Sequence, residues 1–333
     1  MEKLVFLGES FTTLLYVTHS KHYEGSLIID LWKGGSLLHG WELTLFDELK
    51  CLDRVPILCK ETKLLEDLGG ELVGVEANVN FIGTEEGYRS KMSLGDEVNI
   101  QHDWLLEYSN DKYYAKGGWC SIYRELRNKV SALRIYGELQ RILPEDEALI
   151  IKGARITYRK VLNTLPLPYI LSKLAGSNLS EYAKVFKYVP LYAVTLIAKE
   201  TLDNLKLTYV GKKGFLLSAV VELPVYYLSS RGKEYKIIYG FAPVAISRLR
   251  AELFQKVVAE LKKLKIIESY STVVAERCYF ERYGLLGTID YYNIKYVSTE
   301  LRKHGIYLDG RLGSWSEKSV QDILVSIRSG LLL

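Results

Sequence analysis

Two glycine turns near opposite ends of this chain have the residue types and spacing to hold an anion. At the start, an apolar run at residues 3–7 stops at Gly8; Glu9 and Ser10 follow, and Phe11, Leu14 and Leu15 then recur at helical spacing. Toward the end, Gly305-Ile306-Tyr307-Leu308 stops at Asp309-Gly310-Arg311, and Leu312-Gly313-Ser314-Trp315 opens a helix-like run to Leu333. A strand, a glycine and a helix N-terminus together aim backbone N–H groups and the positive end of the helix dipole at a group such as a diphosphate. Arg311 suits a charge partner for that group; the plainer reading is a solvated arginine capping neighbouring carbonyls. Asp30 falls in the second apolar run, 26–31, about twenty residues beyond Gly8, where an acidic side chain can hold a ribose hydroxyl. Gly8 and Asp30 would also suit the ordinary turns of any strand–helix–strand unit.

Other residues extend the set. Gly34-Gly35, just after the second run, and Gly117-Gly118, before a helical stretch, let a backbone come close to a ligand or simply turn the chain. His39 could approach a bound group or a substrate, although a lone histidine beside tryptophans is equally at home packed or on the surface. Arg277, Tyr279, Arg282 and Tyr283 share one predicted strand and could offer cations and hydroxyls to an anionic small molecule such as a sugar nucleotide. Ordinary arginine–tyrosine packing is the simpler account of them. Arg277, Tyr283 and His39 are the catalytic candidates. No Ser-His-Asp set, P-loop or paired-carboxylate spacing occurs. The four cysteines, Cys51, Cys59, Cys120 and Cys278, and the five histidines lack metal-ligand spacing. No metal is expected, and the thiols are read as reduced and mostly buried.

The elements that must position these residues follow from periodicity. Residues 3–7, 11–22 and 26–31 form a strand–helix–strand unit of about thirty residues, the opening of a Rossmann-type fold. From 60 to 114 short alternating runs broken by Gly83, Gly87 and Gly95 predict a β-rich excursion. A helix is predicted at 121–133, and strands at 148–151 and 160–163, the last running into Pro166 and Pro168, which force a turn. Helices are predicted at 169–175 and 181–186, and strands at 191–198, 214–222 and 236–240 read as a second, mostly antiparallel sheet. Residues 251–265 form an amphipathic helix, with Leu253, Val257, Leu261 and Leu264 on one face. A strand at 271–279 and a helix at 297–303 lead to the final turn.

Length and composition bound the classes. A chain of 333 residues fits one interrupted domain or two. With 48% hydrophobic and 25% charged residues it reads as a soluble globule, and a net charge of +4 without a dense basic run argues against nucleic acid. No apolar run reaches membrane-spanning length and no signal peptide opens the chain, so a cytoplasmic location is expected. Twenty-five tyrosines beside two methionines hint at a thermophilic source.

Taken in order, these segments resemble the FAD-dependent amine oxidase superfamily, in particular its protoporphyrinogen-oxidase-like and UDP-galactopyranose-mutase-like branch. Gly8, Asp30 and Gly34-Gly35 match the opening fingerprint, and Lys116-Gly117-Gly118-Trp119 looks like the glycine pair that starts the return helix. Val161-Leu162-Asn163-Thr164-Leu165-Pro166-Leu167-Pro168 resembles the strand and turn entering the substrate domain, and Arg277-Cys278-Tyr279-Phe280-Glu281-Arg282-Tyr283 the tyrosine-rich strand returning from it. Gly310-Arg311-Leu312-Gly313-Ser314-Trp315 through Asp322 matches the closing flavin motif. Departures are equally plain. Where the family has Gly-x-Gly-x-x-Gly, this chain has Gly8-Glu9-Ser10-Phe11-Thr12-Thr13, so Ser10 adds a side chain at the closest point of approach and Glu9 a negative charge. Phe46-Asp47-Glu48 replace a glycine pair, and Val320-Gln321 a methionine and an aspartate.

The resemblance implies an α/β fold: a Rossmann-type, glutathione-reductase-like FAD-binding domain assembled from 1–60, 116–168 and 271–333. A β-rich insertion at 61–115 and an α+β substrate or cap domain at 169–270 complete it. It further implies FAD as cofactor, held by Gly8, Ser10, Asp30, Gly34, Gly35, Gly310 and Arg311, and an oxidoreductase or mutase acting on a small molecule. An oligomer is compatible with this, and the substrate is not legible. The alternative is a flavin-free descendant of the fold serving as a binding or assembly subunit.

Overall fold

The structure, a computed structural model, describes residues 4–19, 26–31, 39–45, 49–59, 70–103, 113–225 and 233–318, together with 322, 323, 325 and 327. Gly34-Gly35, Phe46-Asp47-Glu48 and Val320-Gln321 lie outside the described residues. The chain divides into two compact units: 1–39, 123–187 and 288–333 form the first, and 40–122 and 188–287 the second.

The first unit is built on a five-stranded parallel sheet, ordered Ile306–Leu308, Lys160–Asn163, Leu4–Leu7, Leu27–Asp30 and Leu133–Tyr136. Val5, Phe6, Leu7, Val161 and Leu162 are fully buried, as expected for central parallel strands covered on both faces. The first strand lies in the middle: the chain moves to one side for the next two strands and to the other for the last two. The predicted opening strand–helix–strand unit is found, with its helix at Phe11–His19. The helix predicted at 121–133 runs instead from Trp119 to Lys129, and Leu133–Tyr136 is a strand pairing with Leu27–Asp30. Ladder pairing with a distant strand decides Leu133, the one residue of that strand inside the predicted helix. A small antiparallel meander, Leu139–Leu143, Ala148–Ile151 and Ala154–Thr157, follows. Pro166 and Pro168 stand at the start of the Leu167–Lys173 helix, where a missing N–H costs nothing.

The second unit centres on a six-stranded sheet, ordered Val273–Leu286, Tyr188–Ala198, Lys236–Pro243, Ala219–Pro224, Leu205–Val210 and Ala77–Ile82. All neighbours are antiparallel except the last pair. The amphipathic helix Leu253–Lys263 lays Val257 and Leu261 on Val194, Leu196, Val220 and Ile238 of one sheet face. Several expected boundaries shift: 40–60 and 116–122, assigned to the nucleotide domain, fall in this second unit, and 169–187, assigned to the substrate domain, fall in the first. Residues 271–287, assigned to the nucleotide domain, join this sheet because Val273–Leu286 is zipped along Tyr188–Ala198. Within 61–115, expected to be a β-rich insertion, Glu85–Met92 is a helix capped by Thr84, and Ala77–Ile82 is the edge strand of the same sheet.

The thiols also differ from expectation. Cys51 and Cys120 form a disulfide across 69 residues, while Cys59 is free and buried and Cys278 free and exposed. Among the described residues no helix is long and apolar enough to cross a membrane.

Candidate functional site

The first unit gathers its polar residues at the carboxyl ends of the parallel strands. Leu7 pairs with Ile29 on one side and Asn163 on the other, and Asn163 pairs with Leu308. One step further along each strand the row reads Asp30, Gly8, Thr164 and Asp309. It straddles the point where strand order reverses, which is where open α/β sheets bind ligands. The structure thus brings together Gly8, Ser10, Asp30, Gly310 and Arg311 in one unit.

Gly8 has φ +100°, and a Cβ there would stand 2.6 Å from the Thr164 hydroxyl. It allows the first turn to pack against the neighbouring strand. Thr164 donates to the Leu7 carbonyl at 3.0 Å, and the buried Thr13 hydroxyl donates to the Gly8 carbonyl at 2.7 Å. Ser10 is the cap of the Phe11–His19 helix: its Oγ accepts from the Thr13 N–H at 3.2 Å. That helix has no acidic residue in its first turn.

Glu9 is the residue whose role the sequence left unread. Only 2% exposed, its carboxylate turns toward three partners. Arg127 Nε donates to Oε1 at 3.0 Å, Arg134 Nε to the same oxygen at 2.5 Å, and the Tyr136 hydroxyl to Oε2 at 3.0 Å. Arg127 also reaches the Tyr136 hydroxyl at 2.7 Å. The local sequence offers only a single acid beside the glycine; its partners lie more than a hundred positions away.

Asp30 is 6% exposed and accepts the Leu31 N–H at 2.9 Å. Burial, reinforced by the charge of Glu9, pushes its carboxyl up to about 6, against the pull of the Leu31 and Glu9 N–H groups. Asp309, fully buried, accepts from the Tyr16 hydroxyl at 2.9 Å and from Lys318 Nζ at 2.9 Å.

Gly310 has φ +69°, and a Cβ there would lie 3.1 Å from the Thr12 hydroxyl, so the final turn is held close to the first helix. The helix that follows lasts only from Gly310 to Gly313, with Trp315 beyond it at φ 51°. So short a helix offers little dipole to an anion at this turn. Arg311 grips Glu317 with both arms of its guanidinium, at 2.5 and 2.9 Å. Trp315 is core, packed edge-on against Phe186.

Of the remaining candidates, His39 meets Tyr123 edge-on with ring centroids 5.8 Å apart, and the Tyr123 hydroxyl donates to the Glu9 carbonyl at 2.7 Å. Arg277 and Tyr283 belong to the second unit. Arg277 is exposed and donates to the Glu276 carbonyl at 2.7 Å. Tyr283 is buried against Tyr188, with the Arg282 guanidinium over both rings. A second buried carboxylate there, Asp53, accepts the N–H groups of Trp119 at 3.0 Å and Cys120 at 2.7 Å and the Tyr114 hydroxyl. Among the described residues no cluster of His, Cys, Asp and Glu could hold a metal.

No protein-family model matches the sequence, and no curated protein matches it. Solved structures do match, over the full length. A reduced UDP-galactopyranose mutase aligns with a TM-score of 0.77 at 12% identity, covering 99% of this chain and 96% of that one. A protoporphyrinogen oxidase-like protein from Exiguobacterium sp. 255-15 aligns with a TM-score of 0.72 at 14% identity, covering 99% and 97%. A putrescine oxidase variant redesigned in its cofactor binding aligns with a TM-score of 0.63 at 11% identity, covering 98% and 96%. The mixed α/β architecture with a parallel sheet is the one that the amine oxidase resemblance implied.

Proposed function

We propose that this chain is an FAD-dependent oxidoreductase-like protein of the amine oxidase and mutase type, acting on a small molecule. The observation that carries the reading is the row of Asp30 and Gly8 at the carboxyl ends of adjacent parallel strands, at the reversal of strand order, in a chain that takes this fold from end to end. The residues fit the group. Glu9, a negative charge beside the first turn, is turned into the Arg127–Arg134 pair and neutralised there. Gly8, Ser10 and the first turn of the Phe11–His19 helix, together with Gly310, would hold the diphosphate, and Asp30 a ribose hydroxyl. When bound, FAD supplies hydride abstraction or, in a mutase, a nucleophilic ring; the protein supplies position and electrostatics. The second unit is the natural seat of substrate recognition, and the exposed Arg277 suits an anionic substrate. A cytoplasmic location accommodates the Cys51–Cys120 disulfide in a hyperthermophile, whose intracellular proteins are rich in disulfides.

Two observations favour a second reading, a flavin-free binding or assembly subunit. Arg311 is already engaged by Glu317, and the Ser10 hydroxyl already satisfies the Thr13 N–H. Absorption spectroscopy of the purified protein separates the two. Flavin bands that persist through gel filtration, with FAD released on denaturation, are expected. A colourless preparation that takes up no added FAD overturns the first reading in favour of the second.

A further inference from the structure

The six-stranded sheet of the second unit has two edges of opposite character. Val273–Leu286 turns Glu276, Arg277 and Arg282 to solvent, the usual guard against edge-to-edge pairing. The other edge, Ala77–Ile82, pairs only with Leu205–Val210 among the described residues and has no such guard. Its sequence, Ala-Asn-Val-Asn-Phe-Ile, contains no charge, no proline and no glycine. Val79 and Phe81 stand side by side on one face, 42% and 43% exposed, and Asn78 and Asn80 are exposed on the other. Phe81 is anchored against the Tyr209 ring at 4.7 Å, so this half-open apolar surface is held in place rather than left to fold inward.

We infer that the Ala77–Ile82 edge is a self-association surface whose occupant is the same strand of a second copy, antiparallel about a two-fold axis through Asn80. Three features select that occupant. The strand is neutral, so a copy meets no like charge across the axis, and Glu85 just beyond it is already paired with Arg89 at 2.6 Å. Antiparallel partners must share a face, which restricts two-fold pairings to axes through a single residue. An axis through Asn80 sets Val79 opposite Phe81 twice, the aromatic and β-branched pair that sheets favour, and joins the two Asn80 amides. An axis through Val79 would leave Phe81 facing Ala77. Six residues a side make a small interface, so the dimer is weak and concentration-dependent.

The test is sedimentation equilibrium on the full chain across micromolar to hundred-micromolar concentrations, comparing wild type with Asn80→Lys and Asn80→Asp. Wild type should dimerise reversibly. Each variant should weaken that dimer on the order of a hundredfold, because it sets like charges face to face. A one-to-one mixture of the two variants should recover it, since Lys then meets Asp. Asn80 is exposed, so both variants should keep the wild-type melting temperature, which confirms that they fold. A wild type monomeric throughout, a dimer indifferent to Asn80→Lys, or variants that do not associate when mixed would each overturn the inference.

Discussion

At Glu9 a carboxylate lies buried beside a glycine turn, and two arginines and a tyrosine hold it there. The arginine side chains are each 20% exposed, so water eases but does not remove the cost of stranding them. Glu9→Ala should therefore destabilise the protein by about 2–4 kcal/mol, read as a shift in urea midpoint; a change under about 0.5 kcal/mol would mean that the cluster is not closed in solution. Asp30 makes the opposite contribution. Its carboxyl titrates near 6 when folded and near 3.8 when unfolded, so below about pH 4 both states are protonated and its contribution is fully present. As pH rises through about 6 the folded state must accept a buried charge, and up to about 3 kcal/mol of stability is lost. An asparagine side chain cannot ionise. Relative to wild type, Asp30→Asn should gain stability between about pH 4 and about pH 7, and a pH-independent difference would show that Asp30 is solvated.

Elements in this protein are fastened by side chains that reach across from other elements. The Trp119–Lys129 helix begins with its first N–H groups bonded to Asp53, an acceptor from a distant loop. A carboxylate at that position satisfies unpaired donors and meets the positive end of the helix dipole. Asp53→Ala leaves buried N–H groups and the Tyr114 hydroxyl unsatisfied and should cost about 2–3 kcal/mol, with faster amide exchange confined to the first turn of that helix. Protection unchanged at residues 119–122 would refute the capping role. The strands behave likewise. Leu205–Val210 alternates Leu205, Leu207 and Tyr209 with Lys206 and Thr208 over too short a run to stand out, whereas the amphipathic 253–263 helix is plain from its stripe of Leu253, Val257 and Leu261.

For the whole molecule, the chain crosses between its two units several times, and each unit is assembled from segments far apart in sequence. Long closures are costly in chain entropy, and within the continuous segment 40–122 the Cys51–Cys120 disulfide closes a 69-residue loop covalently. In the chain-entropy account such a loop is worth about 4 kcal/mol, so Cys51→Ser with Cys120→Ser should lower the thermal midpoint by several degrees without changing the fold. Equal midpoints for oxidised wild type and the double variant would mean that the bond does not form. The shared fold with proteins of 9–14% identity places the same demand on each: a parallel sheet at the centre and turns at its carboxyl ends.

Periodicity and turn chemistry alone determined the opening strand–helix–strand unit, the glycines at the first and last turns, the acid closing the second strand and the antiparallel character of the second sheet. Those are local properties: a stripe of apolar residues, or a glycine where only a positive φ will serve, is written in adjacent positions. Tertiary structure alone decided where the charges go. Glu9 could face a ligand or an arginine pair 118 and 125 residues on, and only packing chose the arginines. Arg311 could face a ligand or Glu317, and the one-turn helix after Gly310 brings Glu317 within reach. The sheet that claims Val273–Leu286, the partner of Cys51 and the unguarded edge at Ala77–Ile82 belong to the same class. Pairings between distant segments leave no periodic trace, because either partner keeps its own local pattern whether or not the other is present.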